Sequence, residues 1–251
     1  MRHTLILSVF FAAAVSACGG NDQAPGPVQQ TGTRRVDAAT AGAVSGRVAF
    51  EGQAPAPVVL STAADRACDQ GGGPLYDESL LVDAGGGLRN AFVYVKDGLA
   101  DYAFDVPAEP VVLDQKGCHY APHVFGVRVG QRIEIRNSDA TLHNVHAMPQ
   151  KNEEFNQGMP LQGMKMNQVF TAPEVGVPFK CDVHGWMTSY GGIVAHPYFA
   201  ITDAAGNFSL PGLPPGTYTI EAWHEKLGTR TQQITIAPSQ PAQVAFSFTQ
   251  G

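Results

Sequence analysis

The sequence has little charge, few cysteines and no apolar run long enough to cross a membrane. Charged side chains make up 15% of its 251 residues, and 16 basic against 22 acidic residues leave a formal net charge of −6. No basic stripe exists to neutralise phosphates, which excludes a nucleic-acid binder. A mildly acidic surface suits a basic protein partner instead. No stretch keeps a helical apolar period over several turns, so a helical bundle is excluded as well. A Gly-x-Ser-x-Gly elbow, a phosphate-binding loop and a His-Glu-x-x-His pair are all missing. The expectation is therefore a non-enzyme. What the chain does have is 28 glycines and 18 prolines, which suit many short strands joined by turns. The predicted fold class is all-β.

Residues 1–17 read as a secretory signal. Arg2 is followed by an apolar run from Leu5 to Val15, shorter than the ~20 residues a spanning helix needs. The run ends in Val15-Ser16-Ala17-Cys18, which resembles the cleavage box of bacterial lipoproteins. That resemblance implies a lipidated Cys18 at the mature N-terminus. Gly19 in place of an aspartate implies the outer membrane of a bacterial envelope, facing the periplasm or the surface. The alternative is an ordinary signal peptide that contains a cysteine. Residues 18–42 lack large apolar side chains and are expected to be a flexible tether, with a reach of ~25 Å.

Beyond the tether, alternating patterns mark strands. Val44 to Phe50 and Ala91 to Val95 are strand candidates, with a shorter one at Leu80 to Val82, and 61–79 reads as loop. Val127, Val129, Ile133 and Ile135 alternate around Gly130-Gln131, predicting one strand with a bulge or turn. Met159, Met164 and Met166 fall in what reads as a polar loop, where packing is the commoner use of methionine than cuprous binding. Trp223-His224-Glu225 reads as packing beside a surface pair.

The chemistry concentrates in Phe179-Lys-Cys181-Asp-Val-His184-Gly-Trp-Met187. A thiol, an imidazole and a thioether in Cys-x2-His-x2-Met spacing are the soft and borderline donors that select copper. Zinc would accept Cys and two His but has no use for Met. A dinuclear copper centre needs a second cysteine in this loop, and only Cys181 is present. A strand ending in Asn137, then His143-Asn144, then a strand entering Cys181 resembles the cupredoxins, with the short loop of the amicyanin type. The resemblance implies a Greek-key sandwich over 108–197 and one mononuclear type 1 copper ion. His143, Cys181, His184 and Met187 would be its ligands, and Asn144 would tie the two ligand loops together. In that family electrons leave through the exposed edge of the C-terminal histidine, here His184. Trp186 is expected to cover the metal loop or to lie beside that edge. His146 reads as solvent-facing, and His119 and His123 flank Cys118 as a weaker metal option.

Four cysteines then divide simply. With Cys18 lipidated and Cys181 on the metal, Cys68 and Cys118 remain to pair in an oxidising compartment. Two free buried thiols are the alternative.

The flanks resemble a different family. Val44-Ser-Gly-Arg-Val-Ala-Phe-Glu-Gly with Asn90-Ala-Phe-Val-Tyr-Val resembles the opening strands of a carboxypeptidase-regulatory-like β-sandwich. Thr202-Asp-Ala-Ala-Gly-Asn-Phe-Ser-Leu with Leu213-Pro-Pro-Gly-Thr-Tyr resembles its closing strands. The expected layout is a half sandwich at 43–107, the cupredoxin at 108–197 and the second half at 198–251. Two domains in tandem are the alternative. Together the resemblances imply a membrane-tethered carrier of single electrons. Its partners would be redox proteins such as cytochrome c or membrane respiratory complexes, met weakly and transiently. A copper-delivery protein and a binding or structural sandwich module with a vestigial copper site are the competing functions.

Overall fold

A computed structural model describes residues 32–69 and 73–250. The expected signal segment, Cys18 and the tether up to residue 31 lie outside the described residues. No helix among the described residues is long and apolar enough to cross a membrane.

The fold is all-β, in four sheets. β1 (Gly42–Glu51) lies between β13 (Asn207–Leu213) and β16 (Pro241–Thr249), and β2 (Phe92–Asp97) between β12 (Phe199–Ile201) and β14 (Gly216–His224). β15 (Gly228–Ile236) closes that second sheet beside β14. Between β2 and β12 the chain builds two other sheets. One is β4-β3-β6-β9, from β3 (Val111–Gln115), β4 (Tyr120–Ala121), β6 (Arg132–Asn137) and β9 (Lys165–Val169). The other is β5-β11-β10-β7-β8, from β5 (Val124–Arg128), β7 (His143–Ala147), β8 (Phe155–Met159), β10 (Glu174–Lys180) and β11 (Thr188–Val194). The chain thus starts one sandwich, leaves it to complete another, and returns to finish the first.

Side-chain alternation explains how the layers stack. On β2, Val93 and Val95 point into a core with Val44, Val48, Phe246 and Ile220, while Phe92 and Tyr94 point the other way. On β5, Phe125 and Val127 join a core with Ile133, Ile135, Val177 and Phe179, while Val124 faces Phe92. Strands buried on both faces read as continuous apolar runs, which is the pattern of β5. Between the two sandwiches, Gly126 and Gly192 leave flat ground for the stacked rings of Phe199 and Phe92. A Cβ on Gly192 would sit 2.4 Å from the Phe92 ring. The buried side chains of His123 and Glu225 also pair across this boundary.

Three expectations need correction. Val127 to Ile135 is not one bulged strand: β5 and β6 belong to different sheets, because Gly130, with φ of 81°, turns the chain across the sandwich. Of the three methionines only Met164 lies in a loop: Met159 and Met166 are on β8 and β9, which border the sheets as edge strands. Trp223-His224-Glu225 holds no surface pair: His224 is buried and the Glu225 carboxylate faces inward to His123.

Candidate metal centre

Backbone geometry delivers each donor. Asn137, buried at the end of β6, donates from Nδ2 to Thr141 O (2.9 Å) and Met159 O (2.7 Å). Its Oδ1 accepts from the Asp139 amide at 3.0 Å, so one side chain ties up the turn that leads to His143. Lys180 pairs with Thr188 across the β10–β11 hairpin, which makes 181–187 its loop. That loop is closed by Cys181 N donating to Met187 O (3.2 Å) and Met187 N to His184 O (2.9 Å). Asn144 joins the two parts: its Oδ1 accepts from the amides of Asp182 (2.6 Å) and Val183 (3.4 Å). Tyr120 adds a second brace, its hydroxyl donating to Asn144 O (2.7 Å) and Lys180 O (3.1 Å).

The result is a buried cluster. His143 Nδ1 lies 2.9 Å from His184 Nδ1, and Cys181 Sγ lies 3.8 Å from the same nitrogen. One donor atom of each residue falls within 4.8 Å of the others. The Met187 side chain is buried in the same core as Cys181. Each imidazole turns its other nitrogen to a carboxylate, His143 Nε2 to Asp139 (2.9 Å) and His184 Nε2 to Asp65 (3.0 Å). The four groups form one hydrogen-bonded row, Asp139–His143–His184–Asp65. Carboxylates behind ligating histidines fix ring orientation and leave the inner nitrogen to a metal.

Electrostatics follow from that row. Burial opposes charge on His143, but Asp139 and Cys181 outweigh it and raise its pKa to about 9. Burial also works against the Cys181 thiolate, yet His143 and the amides of Asn144, His184 and Val183 bring the thiol down to about 7. Asp139 is held below the usual carboxylate range: its burial is outweighed by His143 and by the amides of Cys118 (2.8 Å) and Gly117 (2.7 Å). Gly117 and Cys118 both adopt left-handed φ, 65° and 56°, which aims the two amides at one carboxylate. Asp65 is lowered by the Ala67 amide, His184 and Thr141.

Asp65 comes from outside this sandwich, on the strap between β1 and β2. Cys68, three residues on in the short 3-10 turn Arg66–Asp69, is bonded to Cys118, which staples the strap over the centre. Trp186 packs 5.1 Å from the His184 ring and donates to Cys118 O at 3.0 Å. The expected exposed edge on His184 is therefore absent: the residue is 2% accessible, because the strap lies on it. His146 is not a free solvent group either, bonding Asp182 (3.2 Å) and Glu154 (2.9 Å) on the surface of β7. His123 points away to Glu225, and His119 is half-buried with its Nδ1 3.4 Å from Gly117 O.

Asp139 and Asp65 escaped sequence reading. Asp139 carries a local signal, four residues before His143 in an Asn-Ser-Asp turn. Asp65 carries none except its closeness to Cys68.

The donor set fits copper. Two imidazoles and a thiol, all buried, are soft and borderline donors of the kind that copper takes in preference to hard, oxygen-loving cations.

In sequence, residues 193–249 match the carboxypeptidase regulatory-like domain family. Those residues form the end of β11 and β12 to β16, and β1 and β2 complete their sheets from upstream of the match. No curated protein matches the chain. Similar solved structures are cupredoxins. One is a copper-containing nitrite reductase from Thermus scotoductus, TM-score 0.32, 22% identical over 40% of this chain and 25% of that one. Another is an oxidised amicyanin carrying a proline-to-glycine substitution, TM-score 0.31, 22% identical over 36% and 88%. A third is a purple cupredoxin from Nitrosopumilus maritimus, TM-score 0.28, 20% identical over 33% and 98%. The chain spans only a quarter of the nitrite reductase.

Proposed function

We propose that this chain is a mononuclear type 1 copper protein that carries single electrons, with His143, Cys181 and His184 as ligands and Met187 as the weak axial one. The observation that carries the reading is the convergence of two Nδ1 atoms and one Sγ in a buried centre, each imidazole backed by its own carboxylate. Copper held there would supply a one-electron couple. The protein's part is to keep the donors still: Asp139 and Asp65 hold the rings, Asn144 and Tyr120 hold the two ligand loops together, and the apolar core excludes water. Donors that barely move need little reorganisation when an electron arrives or leaves.

Partners in this reading are other redox proteins, such as cytochrome c or a respiratory complex, meeting a chain anchored in the bacterial envelope through a lipid on Cys18. They would meet the strap carrying Asp65 and not a bare imidazole edge.

The test is direct. Adding one equivalent of cupric ion to the purified chain should give an intense visible charge-transfer band that a reductant bleaches reversibly, with copper retained. Cys181→Ser should abolish the band. A colourless protein with no stoichiometric copper would overturn the reading.

A further inference from the structure

Two other triads flank the central one. Asp65, Cys68 and His184 bring donor atoms within 4.8 Å of one another, and so do Cys118, Asp139 and His143. Cys68 Sγ lies 3.7 Å from His184 Nε2. The two triads share the outer nitrogens of the two histidines already described, and the Cys68–Cys118 bond joins them. In this disulfide form neither sulfur is a thiolate, so neither is a soft metal ligand. Cys118 is buried while Cys68, on the strap, is half exposed, so the pair runs from the core edge toward solvent.

We propose that the Cys68–Cys118 pair, once reduced, is a second metal site that binds one cuprous ion at the outer edge of the centre. The reductant is a dithiol. It breaks the sulfur–sulfur bond, passes two electrons and two protons to Cys68 and Cys118, and becomes its own disulfide. Cuprous ion then displaces the thiol protons and binds two thiolates, the donors this soft ion prefers. Asp65 and Asp139 supply negative charge beside it. In the reverse exchange a disulfide-bearing oxidant takes two electrons from the pair and, with two protons from water, leaves as a dithiol; the Cys68–Cys118 bond re-forms, both thiolates are lost and the ion is released. The site thus holds copper only in the reduced state of the pair, beside central ligands whose copper does not depend on that state.

The inference does not require copper on Cys181, and the experiment separates the two. The full chain carrying Cys18→Ser and Cys181→Ser keeps no thiols beyond this pair. It is reduced with a dithiol, freed of reductant without oxygen, and titrated with cuprous ion as its acetonitrile complex against a cuprous chelator. The expected result is one ion per reduced chain and none per oxidised chain, with Cys118→Ser in the same background losing at least tenfold in affinity. Near-ultraviolet dichroism matching the oxidised chain shows that the fold persists. The chain with its native Cys181 offers a second measurement: its copper count should rise by one on reduction of the disulfide. Equal copper in the reduced and oxidised forms, or binding that survives Cys118→Ser unchanged, overturns the proposal. A chain that binds one ion oxidised and one reduced would keep the central site and lose this one. None oxidised and one reduced would do the reverse.

Discussion

Asp65 Oδ2 lies 3.0 Å from His184 Nε2, although 119 positions separate them in sequence. The carboxylate is itself positioned by the Ala67 amide (2.8 Å) and the Thr141 hydroxyl (2.9 Å), so it acts as a fixed stop for the ring. Removing it frees the imidazole to rotate without touching any central donor. Asp65→Ala should weaken copper binding by roughly 10–100-fold, the usual loss for a partner behind a ligating histidine. Asp65→Asn, which still offers an acceptor oxygen, should lose less. Competition against a chelator of known affinity measures both, and an unchanged constant in Asp65→Ala would refute the role.

Protons compete with metal at the same atoms. His143 titrates at about 9 and Cys181 at about 7, so between those values metal binding must expel one proton, and below 7 two. Affinity should rise about tenfold per pH unit from 7 to 9 and more steeply below 7. Stability of the metal-free chain responds differently. His143 has a raised pKa when folded, so its contribution to stability is complete below its ordinary value of 6.5 and is lost as pH rises through about 9. Cys181 has a lowered pKa when folded, so its contribution is complete above its ordinary value of 9 and is lost as pH falls through about 7. The two offset between pH 7 and 9, so thermal melts of the metal-free protein should stay nearly level there. In Cys181→Ser only the His143 contribution remains, and the melts should fall across the same interval.

The Cys68–Cys118 bond closes a loop of 50 residues that contains β2 and β3. Denying the unfolded chain that loop freedom should stabilise by ~2–4 kcal/mol. Replacing both cysteines with alanine should shift the urea midpoint down accordingly and should also expose His184, read as faster hydrogen exchange at the 181–187 loop. A shift in stability with no change at that loop would mean that the strap stays in place without its staple.

What the sequence revealed depends on how local the cause is. The Cys181–Met187 loop is legible because one hairpin sets its spacing, and the strand ending at Asn137 is legible because Ile133 and Ile135 alternate into a core. β8 and β9 were missed because they are edge strands: Asn156, Gln157 and Gly158 face solvent, so no apolar period remains to read. Of β15 only Ile234-Thr-Ile236 shows a strand pattern, because Thr229 to Gln233 are all exposed and only Ile234 and Ile236 turn inward. The covered edge of His184 left no trace at all. A contact between a strap at 61–69 and a loop at 181–187 is fixed by tertiary folding, and neither segment carries a pattern that names the other.

The contact between the two sandwiches is also tertiary, yet it rests on two glycines in ordinary extended backbone. Gly192 has no Cβ because the Phe92 ring occupies that space, and Gly126 meets Phe199 in the same way at 2.1 Å. The rings stack at 5.6 Å and lie between sheets that are otherwise complete, so neither can retreat without parting the layers. Gly192→Ala should therefore destabilise by ~1–3 kcal/mol, the range for overpacking a filled interface. The neighbouring side chains of β11 point to the other core, so the visible spectrum of the copper-loaded chain should stay unchanged. Phe92→Leu in the Gly192→Ala background should recover part of the loss, because a smaller side chain makes room for the added methyl. Additive losses in the double variant, measured by urea unfolding, would show that the two positions do not press on each other.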